Sequence, residues 1–328
     1  MRILIVGGTR FVGRHITEAA LAAGHEVTLL HRGQTGPDLF PSATHLRADR
    51  NSLPDGLLAG EWDATVDVSG YLPRQVDGLA DALDGRGGRY VYISSVSVYD
   101  VPAGPGFAES SPLLELEDPT VEEVTNETYG PLKAACERVA EERFGTSTLI
   151  VRPTYVVGPH DHLSRFTFWV ERVARGGEIL APGPRDAAIQ VIDARDLADW
   201  TIRLLGRPGG GVFHAVSPAP PFSFEELLEA MVAEVGPPGT KLTWVDPDFL
   251  GERGLTGETL PLWSAFDVEK DLNAANPAAA FAAGLSPRPL RQTVRETYES
   301  ALRDPLPPPP ERLTAEQESR VLAEWHQR

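Results

Sequence analysis

The chain has 328 residues, enough for one large domain or two modest ones with a substantial core. Apolar residues make up 41% and charged residues 23%, as in an ordinary soluble globular protein, and 47 acidic against 30 basic residues give a net charge of −17. That average surface repels a polyanion, and no basic cluster interrupts it, so no nucleic-acid partner is expected. The single cysteine, Cys136, excludes an intrachain disulfide framework. No charged leader with an apolar core opens the chain, and no run approaches the roughly 20 apolar residues of a membrane span. A cytoplasmic protein with no membrane partner, a monomer or homodimer, is expected.

In chain order, Ile3 to Val6 reads as a buried strand and Phe11 to Ala23 as a helix stopped by Gly24. Glu26 to Leu30, Thr44 to Ala48 and Ala64 to Val68 read as strands two to four. Leu79, Ala82 and Leu83 mark a helix. Arg89 to Ile93 is a strand, Tyr129 to Arg143 a helix, and Ser147 to Val151 a strand. Such alternation predicts an α/β fold: a Rossmann-type doubly wound parallel sheet, helices on both faces. The second half is richer in Pro and Gly, which suits a smaller C-terminal substrate-binding lobe. The expected division is 1–160 for the dinucleotide-binding domain, with 188–215 returning to it through strands Ala188 to Ile192 and Val212 to Ala215. Residues 161–187 and 216–303 form the lobe, and 304–328 a proline-rich tail, extended over Pro305 to Pro310 and helical over Thr314 to Gln327.

The stretch Val6-Gly7-Gly8-Thr9-Arg10-Phe11-Val12-Gly13 joins the first strand to the first helix. Gly7 permits a tight turn and Gly13 close packing of helix on strand, so that helix N–H groups face a pyrophosphate. The second strand ends in His31-Arg32-Gly33. A carboxylate there would accept from a ribose 2′-hydroxyl and favour NAD; instead an arginine is present, and Arg10 can reach the same place. Two planar guanidiniums suit a 2′-phosphate, which favours NADP with NAD as the alternative. Equally, Arg10 is a solvated first-turn residue and Arg32 a loop charge. Asp49 is either an adenine-amino acceptor or a strand-end turn residue.

Tyr129 and Lys133 are spaced i and i+4, on one helix face, with Pro131 expected in the first turn. A tyrosine with a pKa of about 10 becomes a usable acid/base when an ammonium lies near it. The strand from Tyr90 ends in Ser94 and Ser95, either of which can bond a substrate oxygen at the carboxyl edge of the sheet.

These features together resemble the extended short-chain dehydrogenase/reductases, the NAD-dependent epimerase/dehydratase family. The resemblance rests on the glycine turn, Ser94-Ser95-Val96-Ser97-Val98-Tyr99, Tyr129-x-x-x-Lys133 and Arg152-Pro153-Thr154-Tyr155-Val156-Val157-Gly158-Pro159, with Ile192-Asp193-Ala194-Arg195-Asp196-Leu197-Ala198 further on. The Gly-Gly-Thr-Arg-Phe-x-Gly form of the turn is similar to that of an atypical subgroup, some of whose members are described as reductases or stem-loop RNA-binding proteins. The resemblance implies that Ser95 bonds the substrate oxygen, Tyr129 is the acid/base and Lys133 its activator. It places Gly7, Thr9, Arg10, Phe11, Val12 and Gly13 at the cofactor, with His31, Arg32, Asp49 and Arg50. Val68, Ser69, Gly70, Ser94, Pro153 and Tyr155 complete that set, with Tyr129 and Lys133 reaching the nicotinamide ribose. Val96 and Ser97 stand where 4,6-dehydratases carry an acid and a base, so water elimination is not expected.

The expected function is an NADP-dependent oxidoreductase or epimerase acting at a carbinol or ketone carbon. The resemblance alone implies a nucleotide sugar as the small-molecule substrate. The alternative is a non-catalytic dinucleotide-binding sensor or RNA binder of the same fold. His160-Asp161-His162 lacks partners at fixed spacing, and no metal is expected.

Overall fold

The computed structural model describes residues 1–100, 106–263, 268–307 and 309–328. Seven strands form one sheet: β1 (Arg2–Val6), β2 (Glu26–His31), β3 (Thr44–Arg47), β4 (Ala64–Asp67), β5 (Arg89–Ile93), β6 (Leu149–Pro153) and β7 (Gly211–Ala215). Their order is β7-β6-β5-β4-β1-β2-β3, every neighbouring pair parallel. Ile3, Leu4 and Ile5 are fully buried, as in parallel sheets covered on both faces.

The helices are α1 (Phe11–Ala22), α2 (Pro73–Leu83), α3 (Asn126–Phe144), α4 (Ala194–Leu204) and the short α5 (Ala278–Ala282). Helix α1 packs with α4, and α2 with α3. The chain leaves β1 for β2 and β3, then crosses back to β4 on the other side of β1. That reversal is the switch point at which open α/β sheets leave a crevice beyond their carboxyl ends.

The chain divides into two units. The first comprises Met1–Val156, Ala194–Ser217 and Ala275–Ser286, and contains the whole sheet. The second comprises Val157–Asp193, Pro218–Ala274 and Pro287–Arg328. It carries helices Arg165–Ala174, Phe224–Val235 and Leu290–Arg303, and a parallel strand pair, Glu178–Pro182 with Lys241–Val245. Of the two strands expected to return to the sheet, only β7 does so. Ala188–Ile189 pairs instead with Phe222–Ser223 inside the second unit, whereas residues 275–286 fall in the first.

The C-terminal segment is no loose tail. Its helix, Ala315–Trp325, sets the buried Glu318 carboxylate against Arg172 Nε at 2.6 Å and Leu180 N–H at 3.0 Å. Of the proline run 305–310, Pro308 lies outside the described residues. Among the described residues no helix is long and apolar enough to cross a membrane.

Candidate active site

The glycine turn is built by close approach. Gly7 has φ +91°, and a Cβ there would lie 2.9 Å from Ser69 Cβ and Oγ, so the turn abuts the loop after β4. A Cβ on Gly13 would lie 2.1 Å from Gly7 O; only hydrogen lets α1 start so near the strand. The buried Thr17 hydroxyl lies 2.9 Å from both Gly8 O and Gly13 O and ties the turn to the helix. Phe11 adopts φ +37°, a left-handed backbone that costs a side-chain-bearing residue about 1–3 kcal/mol, offset by burial of its ring. Among the described residues no side chain caps α1, and its first turn holds no acid, so its N-terminal N–H groups suit an anion.

Beyond β2, Arg10 and Arg32 are exposed, and neither guanidinium has a hydrogen-bond or ion-pair partner among the described residues. They follow neighbouring strands in register, Val6 beside Leu30, at one edge. A third arginine, Arg47, was not singled out from the sequence. It is the register partner of His31, and a Cβ on Gly33 would meet its Cδ at 3.6 Å. The Asp49 carboxylate accepts from Asn51 N–H at 2.9 Å and Asn51 Nδ2 at 2.7 Å, the bonding of a turn residue.

Arg50, expected at the cofactor, is turned into the sheet. It forms a two-pronged pair with the fully buried Asp67 at 2.7 and 2.8 Å, and donates to Gln75 O and Ser69 Oγ. Burial alone would raise the Asp67 pKa; the Arg50 charge and bonds, with Tyr90 OH and Ser69 N–H, more than offset it and hold the carboxyl below its ordinary range. The pair braces the Val68–Gly70 loop beneath the glycine turn. Arg50→Leu should leave Asp67 buried and uncompensated, and lower unfolding free energy by about 3–5 kcal/mol in a denaturant titration.

On α3, a reciprocal cap between Thr125 and Thr128 starts the helix at Asn126. Pro131 therefore lies in the second turn rather than the first, where it forgoes the bond to Glu127 O. A Cβ on Gly130 would lie 2.2 Å from Ser97 O, so the helix bearing Tyr129 and Lys133 touches the 3-10 turn Val96–Val98 directly. Ser95 starts that turn: its Oγ accepts from Ser97 N–H at 3.1 Å and donates to Ser97 Oγ at 3.0 Å. Ser94 is buried, and its Oγ has no hydrogen-bond partner among the described residues.

Lys133 is 3% exposed and donates to Ile93 O at 2.7 Å, at the end of β5, and to Gly70 O at 3.0 Å, in the loop after β4. Burial lowers its pKa from 10.5 to about 8, against the raising influence of Cys136, Asp67 and Glu137. Tyr71 was also passed over in the sequence. Its ring centroid lies 5.5 Å from Lys133 Nζ and 6.4 Å from that of Tyr129. The signal was its place directly after Gly70.

The model of the NAD dependent epimerase/dehydratase family matches residues 3–56 and 74–215. The chain belongs to this family. The chloroplast stem-loop binding protein of 41 kDa b from Arabidopsis thaliana is 25% identical over 75% of this chain and 66% of that protein, so just under two thirds of the relative is spanned. Among solved structures, UDP-glucuronic acid 4-epimerase from Bacillus cereus in complex with NAD superposes with a TM-score of 0.67 at 16% identity, covering 92% of this chain and 99% of that one. The terminal R domain from the myxalamid PKS-NRPS biosynthetic pathway gives 0.69 at 20% identity, covering 93% and 91%.

In this family member, Tyr129, Lys133 and Glu137 recur every fourth residue along α3. The buried Glu137 is paired with Arg152 of β6, which also donates to Tyr99 OH and to Glu109 O. The end of the Ser95–Tyr99 segment is thereby tied to the Tyr–Lys helix. Pro153 ends β6 in the core, and Tyr155 is half-buried just beyond it. Asp161, buried in the second unit, accepts from Leu163 and Arg165 N–H groups, and no metal-binding group of three acidic, His or Cys side chains occurs among the described residues.

Proposed function

We propose that the chain is an NADP-dependent oxidoreductase or epimerase of the extended short-chain type, acting at a carbinol or ketone carbon, with nucleotide sugars as the substrate class. One observation carries the reading. Backbone contact between Gly130 and Ser97, together with the Lys133 bonds to Gly70 O and Ile93 O, gathers Ser95, Tyr129 and Lys133 at the carboxyl edge, beside the glycine turn. The uncapped start of α1 and the partnerless Ser94 hydroxyl are features a bound dinucleotide would satisfy. The nicotinamide, when bound, gives or takes hydride. Tyr129 holds the proton at its phenol oxygen, the Lys133 ammonium favours the phenolate, and Ser95 orients the substrate oxygen.

The test is incubation of the protein with NADPH and a panel of UDP-sugars and small ketones, following cofactor absorbance and sugar epimers. Absence of both changes across the panel, with cofactor binding intact, would sink the enzymatic reading. A pH profile adds a check. The folded Lys133 pKa lies below its ordinary value, so the amine is charged below about 8 and neutral above it. Activity should decline as pH rises through 8, and kcat/KM should show that limb. For stability the sign is opposite: burying the charge costs free energy below pH 8, and this is relieved between about 8 and 10.5.

A second reading, RNA binding, comes with the name of the Arabidopsis relative. The −17 charge argues against it. RNA affinity at physiological salt should be no tighter than non-specific, and a filter-binding titration with sub-micromolar, sequence-selective affinity would overturn that expectation.

A further inference from the structure

At the end of β2 two histidines form a hydrogen-bonded chain. Gly33 N–H donates to His31 Nδ1 at 3.1 Å, so that nitrogen is the acceptor and the His31 proton sits on Nε2. His31 Nε2–H then donates to His45 Nδ1 at 2.8 Å. This leaves the His45 proton on Nε2, which donates to Phe40 O at 3.2 Å. Only one arrangement of protons satisfies all three bonds, and it has both rings neutral.

Two consequences follow at the cofactor end. His31 occupies the last position of β2, where a carboxylate would accept from a ribose hydroxyl. Both of its ring nitrogens are consumed internally, and it is 7% exposed, so it offers no such acceptor. The chain also ties together the turn after β2, strand β3 and the loop at Phe40. Arg32 lies between His31 and Gly33, two residues held by the same bond, with Gly33 at φ +74° and Arg47 packed against it. The exposed guanidinium therefore projects from a fixed backbone. Arg47 is itself held by Pro37 O and faces Asp38 at 3.7 Å.

We propose that His31 and His45 are specificity-determining residues for the 2′ position of the cofactor: their neutral chain withholds an acceptor from a 2′-hydroxyl and fixes Arg32 for a 2′-phosphate. This rests on the NADP reading above. Burial, then the neighbouring His45 and Arg47, hold the His31 pKa below that of an ordinary imidazole, in keeping with a neutral ring.

The test is calorimetric titration of NADP(H) and NAD(H) into the parent, His45→Leu and His45→Gln, with side-chain 15N NMR of the parent histidines at pH 7.5. In the parent, both rings should be neutral and protonated on Nε2. His45→Leu removes the acceptor for His31, and NADP(H) binding should weaken about fivefold or more while NAD(H) binding grows no weaker. His45→Gln keeps one acceptor and one donor and should retain most of the parent preference. A parent that prefers NADP(H) alongside a His45→Leu variant with the same preference overturns this proposal alone. A parent with no NADP(H) preference overturns the cofactor reading and the proposal with it. Should His45→Leu fail to fold, the NMR decides: a charged pair, or a His31 proton on Nδ1, overturns the proposal.

Discussion

Tyr129→Phe should lower turnover by about two orders of magnitude or more, the scale of a lost general acid/base. The substitution removes one oxygen and little volume. Tyr129 is half-buried on a helix whose start is fixed by the Thr125–Thr128 cap and whose second turn presses on Ser97. None of those contacts involves the phenol oxygen, so the backbone should not move. Cofactor affinity should stay within about twofold, because Lys133 keeps its bonds to Gly70 O and Ile93 O. The measurement is steady-state turnover on a substrate the parent accepts, with cofactor titration in parallel. Surviving turnover would remove Tyr129 from the acid/base role. A collapse of cofactor affinity alongside turnover would mark it as a binding residue instead.

NADP(H) should bind more tightly than NAD(H), by roughly ten- to a few-hundredfold. Each charge-assisted contact to a phosphate contributes about 1.5–3 kcal/mol, and about 1.4 kcal/mol is a decade of affinity. Arg10 and Arg32 are both exposed, so water reduces the sum of their contributions, and added salt should erode the preference. His31→Asp with Arg32→Ala should reverse it, by supplying a ribose acceptor and removing one guanidinium. Calorimetric titration of both cofactors into parent and double variant decides the matter. Equal affinities in the parent, or tighter binding of NAD(H), would leave Arg10 a solvated residue just ahead of α1.

The parallel sheet was legible because its strands are buried on both faces and read as apolar runs: Arg89–Ile93 falls where the sequence put it. The glycine turn was legible because Gly7 is demanded by a left-handed backbone at φ +91° and Gly13 by a backbone contact that admits no side chain. What escaped were residues whose role depends on long-range pairing. Arg50 reads as a cofactor contact because it follows Asp49 beyond the third strand. Only the sheet order brings it against Asp67, seventeen residues on, where a buried carboxylate claims it. His31 and His45 meet only because β2 and β3 are neighbours in a particular register. Strand 188–192 misled because a short apolar run pairs with whichever edge is free, and Phe222–Ser223 supplied one inside the second unit.

The meeting of Gly130 with Ser97 O sets a limit on how this site can diversify. Where two side chains meet, a pair of compensating substitutions can re-space them in small steps. Here a helix backbone lies against a carbonyl, with 2.2 Å left for any Cβ. The smallest possible change, to alanine, is already a collision, and no partner substitution can shorten a carbonyl. The distance between the serine turn and the tyrosine helix is therefore not an adjustable quantity in a library of variants. The Tyr71 ring, which reaches Lys133 and Tyr129 from the loop after Gly70, meets them through side chains and is under no such backbone limit.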